Sequence, residues 1–163
     1  MAEEHLRSDT KKKVMVAIDE SEYSEYALKW TLDTLGASIS SSSLFIFTAQ
    51  PVTDLGYLYT ETFGTAVPPD LISSVREQQN KVASALLEKA KEICSSRGVT
   101  PKLITDVGDP KVAICEAVEK LKINLLVLGS QGKGVLKRAF LGSVSNYCVQ
   151  HAKCPVLVVR KTE

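Results

Sequence analysis

The chain has no apolar run that approaches the roughly 20 residues needed to span a bilayer. Its first ten residues are polar and lack the hydrophobic centre of a secretory signal peptide. We therefore expect a cytoplasmic protein, with access to the nucleus left open, and we expect no membrane partner.

An excess of charge of either sign is also missing. Lysine and arginine number 20 against 19 acidic residues, which gives a net charge of +1. Proteins that bind nucleic acid normally show a basic excess or a basic stripe. The only basic run, Lys11-Lys12-Lys13, leads directly into the first apolar segment. The sequence thus predicts no nucleic-acid partner.

The cysteines form no Cys-x-x-C pair, and three of them fall within apolar helical patterns. Such residues are typical of reduced, mostly buried thiols and not of a disulfide framework or a metal site. The four are Cys94, Cys115, Cys148 and Cys154.

Five short apolar runs alternate with segments of helical spacing. The runs cover residues 14–18, 44–49, 103–107, 125–128 and 156–159 and are mostly continuous, as in strands buried on both faces. Asp109-Pro110 is a strong helix start. The alternation predicts an α/β fold with a doubly wound, mainly parallel sheet. We assign residues 13–161 to one domain and residues 1–12 to a flexible N-terminal segment.

Residues 51–70 show no clear period and contain Gly56, Gly64 and Pro68-Pro69. We predict a long loop insertion that leaves the second strand on the ligand side of the sheet. Two interpretations remain open, a mobile cover over the ligand crevice and a surface insertion without a binding role.

Neither standard glycine motif for phosphate is present. Gly129-Ser130-Gln131-Gly132 nevertheless follows an apolar run directly, and Gly142-Ser143 precedes a helical segment at 144–151. Glycines let backbone N–H groups approach an anion, and the first N–H groups of a helix have no partner within it. With Ser143 as the predicted N-cap, this pattern indicates an anion site.

Asp19 ends the first predicted strand, and Gly129 ends the fourth. Ligands of doubly wound sheets bind beyond the carboxyl ends of the strands, at the point where the strand order reverses. If these two strands are neighbours, Asp19 and the glycine loop share one crevice.

Three pieces of sequence together resemble the universal stress protein family. They are residues 14–19 with Ser21 after them, the spacing Gly129-x2-Gly132-x9-Gly142-Ser143, and residues 154–159. The resemblance covers residues 14–160, and its glycine spacing is that of members that bind ATP or AMP. The insertion at 51–70 makes the chain similar to plant single-domain members.

The resemblance implies a Rossmann-like, five-stranded parallel sheet in the order 3-2-1-4-5 with helices on both faces. It implies an adenine nucleotide, ATP or AMP, as ligand, with Mg²⁺ as a further candidate that Asp19 would contact. The adenosine would lie near Ala17, Ile18, Asp19, Ala49, Leu128 and Gly129. The phosphates would lie near Ser130, Gln131, Gly132, Lys133, Gly142, Ser143, Val144 and Ser145.

Gln131 departs from the family pattern, because many members carry Arg or His at this position. A neutral amide there removes one favourable charge near the phosphates. We therefore predict a weaker grip on the triphosphate, so that AMP or ADP competes well with ATP.

Efficient catalysis is not predicted. Nucleotide hydrolysis needs a group that positions or deprotonates water, together with a metal. His5 lies in the predicted flexible segment and His151 at the far end of the last helical segment, and Asp19 and Glu20 are the carboxylates near the proposed crevice. We assign no catalytic residue and expect at most slow ATP hydrolysis.

Two functions are consistent with the resemblance. In the first, an adenine nucleotide changes the shape or partners of a stress or signalling protein. In the alternative, the protein is a chaperone-like holdase whose nucleotide is incidental.

The strand order implied by the resemblance leaves the last strand at an edge of the sheet. An unpaired apolar edge favours pairing with another strand, so we predict a homodimer through antiparallel pairing of the last strands. A monomer whose edge is protected by Arg160 and Lys161 is the alternative. The predicted edge residues are Val156, Leu157, Val158 and Val159.

Overall fold

A computed structural model describes residues 11–52, 55–132 and 141–162 of the chain. Most of the predicted flexible segment 1–12 lies outside the described residues. Lys133 of the predicted phosphate loop lies outside them as well.

The described residues form one sheet of five parallel strands in the order β3-β2-β1-β4-β5. The predicted fold class and strand order are therefore confirmed. From β1 the chain passes to β2 on one side and later to β4 on the other, so the strand order reverses between β1 and β4. The strands are β1 Lys13–Ala17, β2 Ser43–Gln50, β3 Lys102–Val107, β4 Leu125–Gly129 and β5 Val156–Val159.

Helices cover both faces of the sheet, and each face has its own apolar core. Val14 and Val16 of β1 pack on one face, whereas Met15 and Ala17 pack on the other. All four side chains are buried, which explains why this strand reads as a continuous apolar run. In the described part of the chain the helices are α1 Glu22–Thr34, α2 Gly36–Ser40, α3 Leu55–Phe63, α4 Pro69–Ser95, α5 Pro110–Leu121 and α6 Ser143–His151.

The two cores involve different helices. Helices α1 and α4 pack against the face of Val14 and Val16, with Leu28 and Leu87 among their buried residues. Helices α5 and α6 pack against the opposite face. This arrangement leaves the carboxyl ends of the strands open between the two helical layers.

The prediction of a loop over residues 51–70 is wrong for much of its length. Helix α3 occupies Leu55–Phe63, and α4 already begins at Pro69, where a proline is favoured at the first helical position. No residue of α3 is buried. A helix that packs no face into a core needs no apolar period, and periodicity was the signal on which the prediction depended.

Candidate functional site

A cavity of about 440 Å³ lies at the carboxyl ends of the strands, where the strand order reverses. It is bounded by the ends of β1, β2 and β4, by the first turns of α5 and α6, and by the middle of α4. The predicted site residues that line it are Ala17, Ile18, Asp19, Ala49, Leu128, Gly129, Gln131, Gly132, Gly142, Ser143, Val144 and Ser145. Sequence reasoning therefore located this cavity.

One predicted residue that the structure describes, Ser130, does not line the cavity. Ser130 is buried, and its backbone N–H donates to Val159 O at 3.1 Å. Lys133 lies outside the described residues. The expectation that Ser130 runs beside the phosphates is thus corrected, because its N–H continues the pairing between β4 and β5.

A network of short polar contacts fixes the carboxylate of Asp19. Its Oδ1 accepts from Ser21 N at 2.8 Å, from Ser24 Oγ at 3.0 Å and from the Ser21 hydroxyl. Ser21 is also the N-cap of α1, since its Oγ accepts from Ser24 N at 3.3 Å. The start of α1 thereby orients the acidic group at the end of β1.

Gly129 at the end of β4 and Gly132 after it each allow a close approach, but to different neighbours. A Cβ on Gly129 would lie 2.8 Å from the backbone C and O atoms of Tyr23, so this glycine lets the first turn of α1 pack on the strand. A Cβ on Gly132 would lie 2.8 Å from Asp19 Oδ2. Gly132 therefore brings the loop against Asp19, as the prediction of a shared crevice requires.

The start of α6 differs from the prediction by one residue. Gly142, and not Ser143, is the N-cap, and Ser143 is the first helical residue. Gly142 N donates to Ser130 O at 2.7 Å, and Ser145 Oγ donates to the same oxygen at 3.0 Å. These two donors hold the loop against the helix and so are not directed at a ligand.

Three backbone N–H groups in the first turn of α6 have no acceptor within the helix. The hydrogen-bond ladder of the helix begins with Asn146 N, which donates to Gly142 O at 3.0 Å. The N–H groups of Ser143, Val144 and Ser145 precede this ladder, at the positive end of the helix dipole. All three residues line the cavity. This end of the cavity can therefore bind an anion through backbone groups.

We call this side the glycine wall and define it as Gly129, Gln131, Gly132 and residues 142–145. The opposite side, which we call the α4 wall, was missed by sequence reasoning. Val82 of this wall is 36% exposed, although its helical neighbours Ala83 and Leu87 are buried. Val82 faces the cavity instead. The signal that could have predicted this wall was that the apolar stripe of α4 is wider than its contact with the core requires. The α4 wall consists of Gln78, Gln79, Val82, Ala83 and Leu86.

The end of β2 and the start of α5 complete the lining. Thr48 is buried, and its Oγ1 donates to Ile18 O at 2.9 Å. This bond joins the ends of β1 and β2. It occupies the Thr48 hydroxyl, so the neighbouring lining at Ala49 is apolar. The lining residues that the sequence reasoning missed are Phe47, Thr48, Gln50, Pro51, Pro110 and Ile114, together with Ser24 in the first turn of α1. Glu20, which was predicted to lie near the crevice, also lines the cavity.

Charge at the cavity comes from acidic groups in the described part of the lining. Asp19 and Glu20 are its carboxylates, and no lysine or arginine is among these lining residues. Lys111, at the start of α5, pairs with Asp109 at 2.7 Å, and this hydrogen bond lowers the pKa of the Asp109 carboxyl. Within the described ranges, an anion would thus be held by backbone N–H groups.

A metal would have few protein ligands here. Within residues 11–52, 55–132 and 141–162, no group of three or more His, Cys, Asp or Glu side chains is arranged to hold a metal ion. Mg²⁺ commonly binds through one or two carboxylates and the phosphates of a nucleotide. Asp19 fits that limited role, because its carboxylate lies beside Gly132 of the glycine wall.

Comparison with known proteins identifies the family. Residues 11–160 match the model of the universal stress protein family. The chain belongs to this family. It is 30% identical to a universal stress protein A-like protein of Arabidopsis thaliana, over 91% of this chain and 90% of the relative. It is 32% identical to the universal stress protein YxiE of Bacillus subtilis, over 91% of this chain and 98% of the relative.

A solved structure shows the same fold. It is a universal stress protein family protein from Arabidopsis thaliana with AMP bound, 25% identical, with a TM-score of 0.66. The similarity covers 93% of this chain and 92% of the other. Both Arabidopsis matches are nearly full-length, which confirms the expected likeness to plant single-domain universal stress proteins.

No helix of this universal stress protein, among the residues that the structure describes, has the length and apolar character needed to cross a membrane.

Proposed function

We propose that this universal stress protein binds an adenine nucleotide, ATP or AMP, in the cavity and acts as a ligand-responsive protein in stress response or signalling. One observation carries the proposal. The glycine wall, the first turn of α6 and the oriented carboxylate of Asp19 meet in a single cavity at the reversal of the strand order. Such positions are the usual nucleotide sites of doubly wound sheets.

The two sides of the cavity suit the two ends of a nucleotide. The N–H groups at the start of α6 suit phosphate oxygens. Val82 and Leu86 offer apolar surface to a purine on the other side, next to Ala49 at the end of β2. The AMP bound to the Arabidopsis relative supports this choice of ligand.

Asp19 would contact the ribose, or a Mg²⁺ ion that accompanies the phosphates. When bound, the ion would offset phosphate charge and act as a Lewis acid. The carboxylates at the described part of the cavity are Asp19 and Glu20, and Asp19 is already held by Ser21 and Ser24. We propose binding without efficient hydrolysis, which a phosphate-release assay with ATP and Mg²⁺ checks.

Thermal unfolding in the presence of nucleotides tests the binding proposal. A ligand at a thousand times its dissociation constant stabilises the folded state by about 4 kcal/mol. We expect ATP and AMP at millimolar concentration to raise the melting temperature by several degrees, and inorganic phosphate alone to raise it much less. A melting temperature that neither adenine nucleotide changes would contradict the proposal.

We further propose that the protein is a homodimer through β5. This strand lies at an edge of the sheet, with β4 as its neighbour. The carbonyl oxygens of Pro155 and Val159 accept hydrogen bonds from the β4 side of the sheet. Successive residues of a strand direct their backbone groups to alternate sides, so the N–H of Val158 faces away from β4. A proline at Val158 would remove that donor without breaking the ladder to β4. Light scattering should show a dimer for the wild type and a monomer for Val158→Pro, with thermal unfolding as the check on folding.

A second candidate function, a holdase, is favoured by the surface of α3. Tyr57, Leu58 and Phe63 are each more than 60% exposed, and Val52 before the helix is 69% exposed. Apolar surface of this kind can hold an unfolding client. Aggregation of a heat-denatured client should then be suppressed by the wild type and not by Leu58→Ser, which leaves the cavity unchanged. Equal suppression by both proteins would remove this candidate.

A further inference from the structure

Three of the four cysteines lie close together between α5, α6 and the start of β5. The sulfur atoms of Cys115 and Cys148 are 3.9 Å apart. Cys154 packs in the same apolar cluster, whereas Cys94 lies in the core on the other face of the sheet. Cys148 is fully buried, and Cys115 and Cys154 are half-buried. One thiol of the closest pair is therefore partly accessible, and the other is positioned behind it.

We propose that Cys115 and Cys148 form a reversible disulfide under oxidising conditions and that this bond displaces the first turn of α6. A disulfide requires an S–S distance of about 2.05 Å, so the two sulfurs must approach each other by about 2 Å. Side-chain rotation can supply part of this approach, and under this proposal a shift of α6 relative to α5 supplies the rest. The expected consequence for nucleotide affinity rests on the proposed function, whereas the disulfide itself does not.

The positions of the two cysteines connect the bond to the cavity. Cys115 follows Ile114, which lines the cavity, and Cys148 lies one helical turn after Val144, which lines it too. The first turn of α6 is held to the β4 side by the bonds from Gly142 N and Ser145 Oγ to Ser130 O. A shift of α6 strains these bonds and misaligns the N–H groups that face the anion end.

Oxidised glutathione, a small-molecule disulfide, can supply the oxidising equivalents. The thiolate of Cys115 attacks one glutathione sulfur, forms a mixed disulfide and releases one glutathione thiolate. Cys148 then loses its proton, attacks the sulfur of Cys115 and releases the second glutathione. Two protein thiols are oxidised, and one glutathione disulfide is reduced to two thiols.

The environment of the thiols makes this exchange slow. Burial raises the pKa of Cys115 above its ordinary value and raises the pKa of Cys148 to about 12. Only the thiolate attacks, so little of either residue is reactive at neutral pH. We therefore expect a response to sustained oxidation, and an experiment is best run in mildly alkaline buffer.

Peptide mapping after exposure to oxidised glutathione tests the bond. Reduced protein is incubated with the disulfide, its remaining thiols are blocked, and its peptides are analysed by mass spectrometry. We expect a Cys115–Cys148 peptide in the wild type and in the controls Cys94→Ser and Cys154→Ser, and none in Cys115→Ser. Cys148 is fully buried, so Cys115 is the better position to replace. Stable glutathione adducts, a bridge to Cys154 or no reaction would each overturn the proposal.

Hydrogen exchange and AMP titration then test the effect on the cavity. Amides of residues 141–146 should exchange faster in the oxidised wild type than in the reduced protein, and Cys115→Ser should show no difference. Loss of about one hydrogen bond to a charged group corresponds to roughly tenfold weaker AMP binding, which a reductant should restore. Unchanged exchange in the bridged protein would overturn the displacement. Absence of AMP binding by the reduced wild type would instead overturn the proposed function, while the exchange data still decide this inference.

Discussion

The glycine wall and the α4 wall face each other across one cavity but are built in opposite ways. The glycine wall presents backbone groups. A Cβ on Gly129 would meet backbone atoms of Tyr23, whereas a Cβ on Gly132 would lie 2.8 Å from Asp19 Oδ2, a side-chain atom that would have to move. The α4 wall presents side chains of a long helix, and Val82 is 36% exposed. Binding of the charged end thus depends on a fixed main chain, whereas contact with the purine depends on replaceable side chains. The effects of substitutions on the two walls should therefore differ in size and in how they depend on the phosphate groups of the ligand.

The largest effect is expected for Gly132→Asp in the glycine wall. The new carboxylate would meet Asp19 and any bound phosphate, and two like charges 4 Å apart near a protein surface repel by about 4 kcal/mol. We expect AMP and ATP affinity to fall by at least about a hundredfold in calorimetry. Ser41→Asp, an exposed position before β2, is the control for added charge. Equal affinity of the Gly132 variant and this control would show that the anion end lies elsewhere.

Gly129→Ala should mainly reduce stability. Its Cβ would meet backbone atoms of Tyr23, which cannot rotate away as a side chain can. We expect a loss of about 1–3 kcal/mol in the free energy of unfolding, measured by urea denaturation. Gly36→Ala is the matched control, because a Cβ at that position would meet nothing within 4 Å. If both variants lose the same stability, close approach of α1 is not the reason for this glycine.

Val82→Ser tests the α4 wall with a moderate expected effect. The substitution removes apolar surface that the purine would cover, worth about 1 kcal/mol, so affinity should fall about fivefold. Adenosine, AMP and ATP should lose the same factor, because the phosphates lie at the other wall. Val112→Ser is a suitable control, since Val112 is similarly exposed at 37% on α5 and does not line the cavity. A loss confined to ATP would reverse our assignment of the two walls.

The smallest effect is expected for Gln131→Arg. This half-buried residue lines the cavity in the glycine wall. An added positive charge should strengthen ATP binding by about two- to fivefold, which corresponds to up to about 1 kcal/mol. The gain for AMP should be smaller, and salt should reduce both gains. Titration of both proteins with both nucleotides gives the ratio. Identical curves would remove the explanation of weaker triphosphate binding by the neutral amide.

The two walls also differ in how well they could be predicted from the sequence. The glycine wall was predicted because its residues are close in sequence and follow a strand that is buried on both faces. The predicted start of α6 was wrong by one residue. Whether Gly142 or Ser143 is the N-cap depends on the hydrogen bond from Gly142 N to Ser130 O. Such a tertiary contact leaves no local pattern.

The α4 wall could not be predicted in the same way. Val82 lies far along the chain from Gly129, and only the packing of α4 on β2 brings it to the cavity. Helix α3 was missed for a different reason. None of its residues is buried, so its sequence needs no apolar periodicity from which a helix could be predicted. Sequence patterns thus predicted elements that pack into the core and missed contacts made between distant elements.

A crystal structure of the protein grown with AMP tests the central claim most directly. We predict the phosphate within hydrogen-bond distance of the backbone N–H groups of Ser143 and Val144, and the purine between Ala49 and Val82. An empty cavity at saturating AMP, or a nucleotide whose phosphate lies at the α4 wall, would contradict the account.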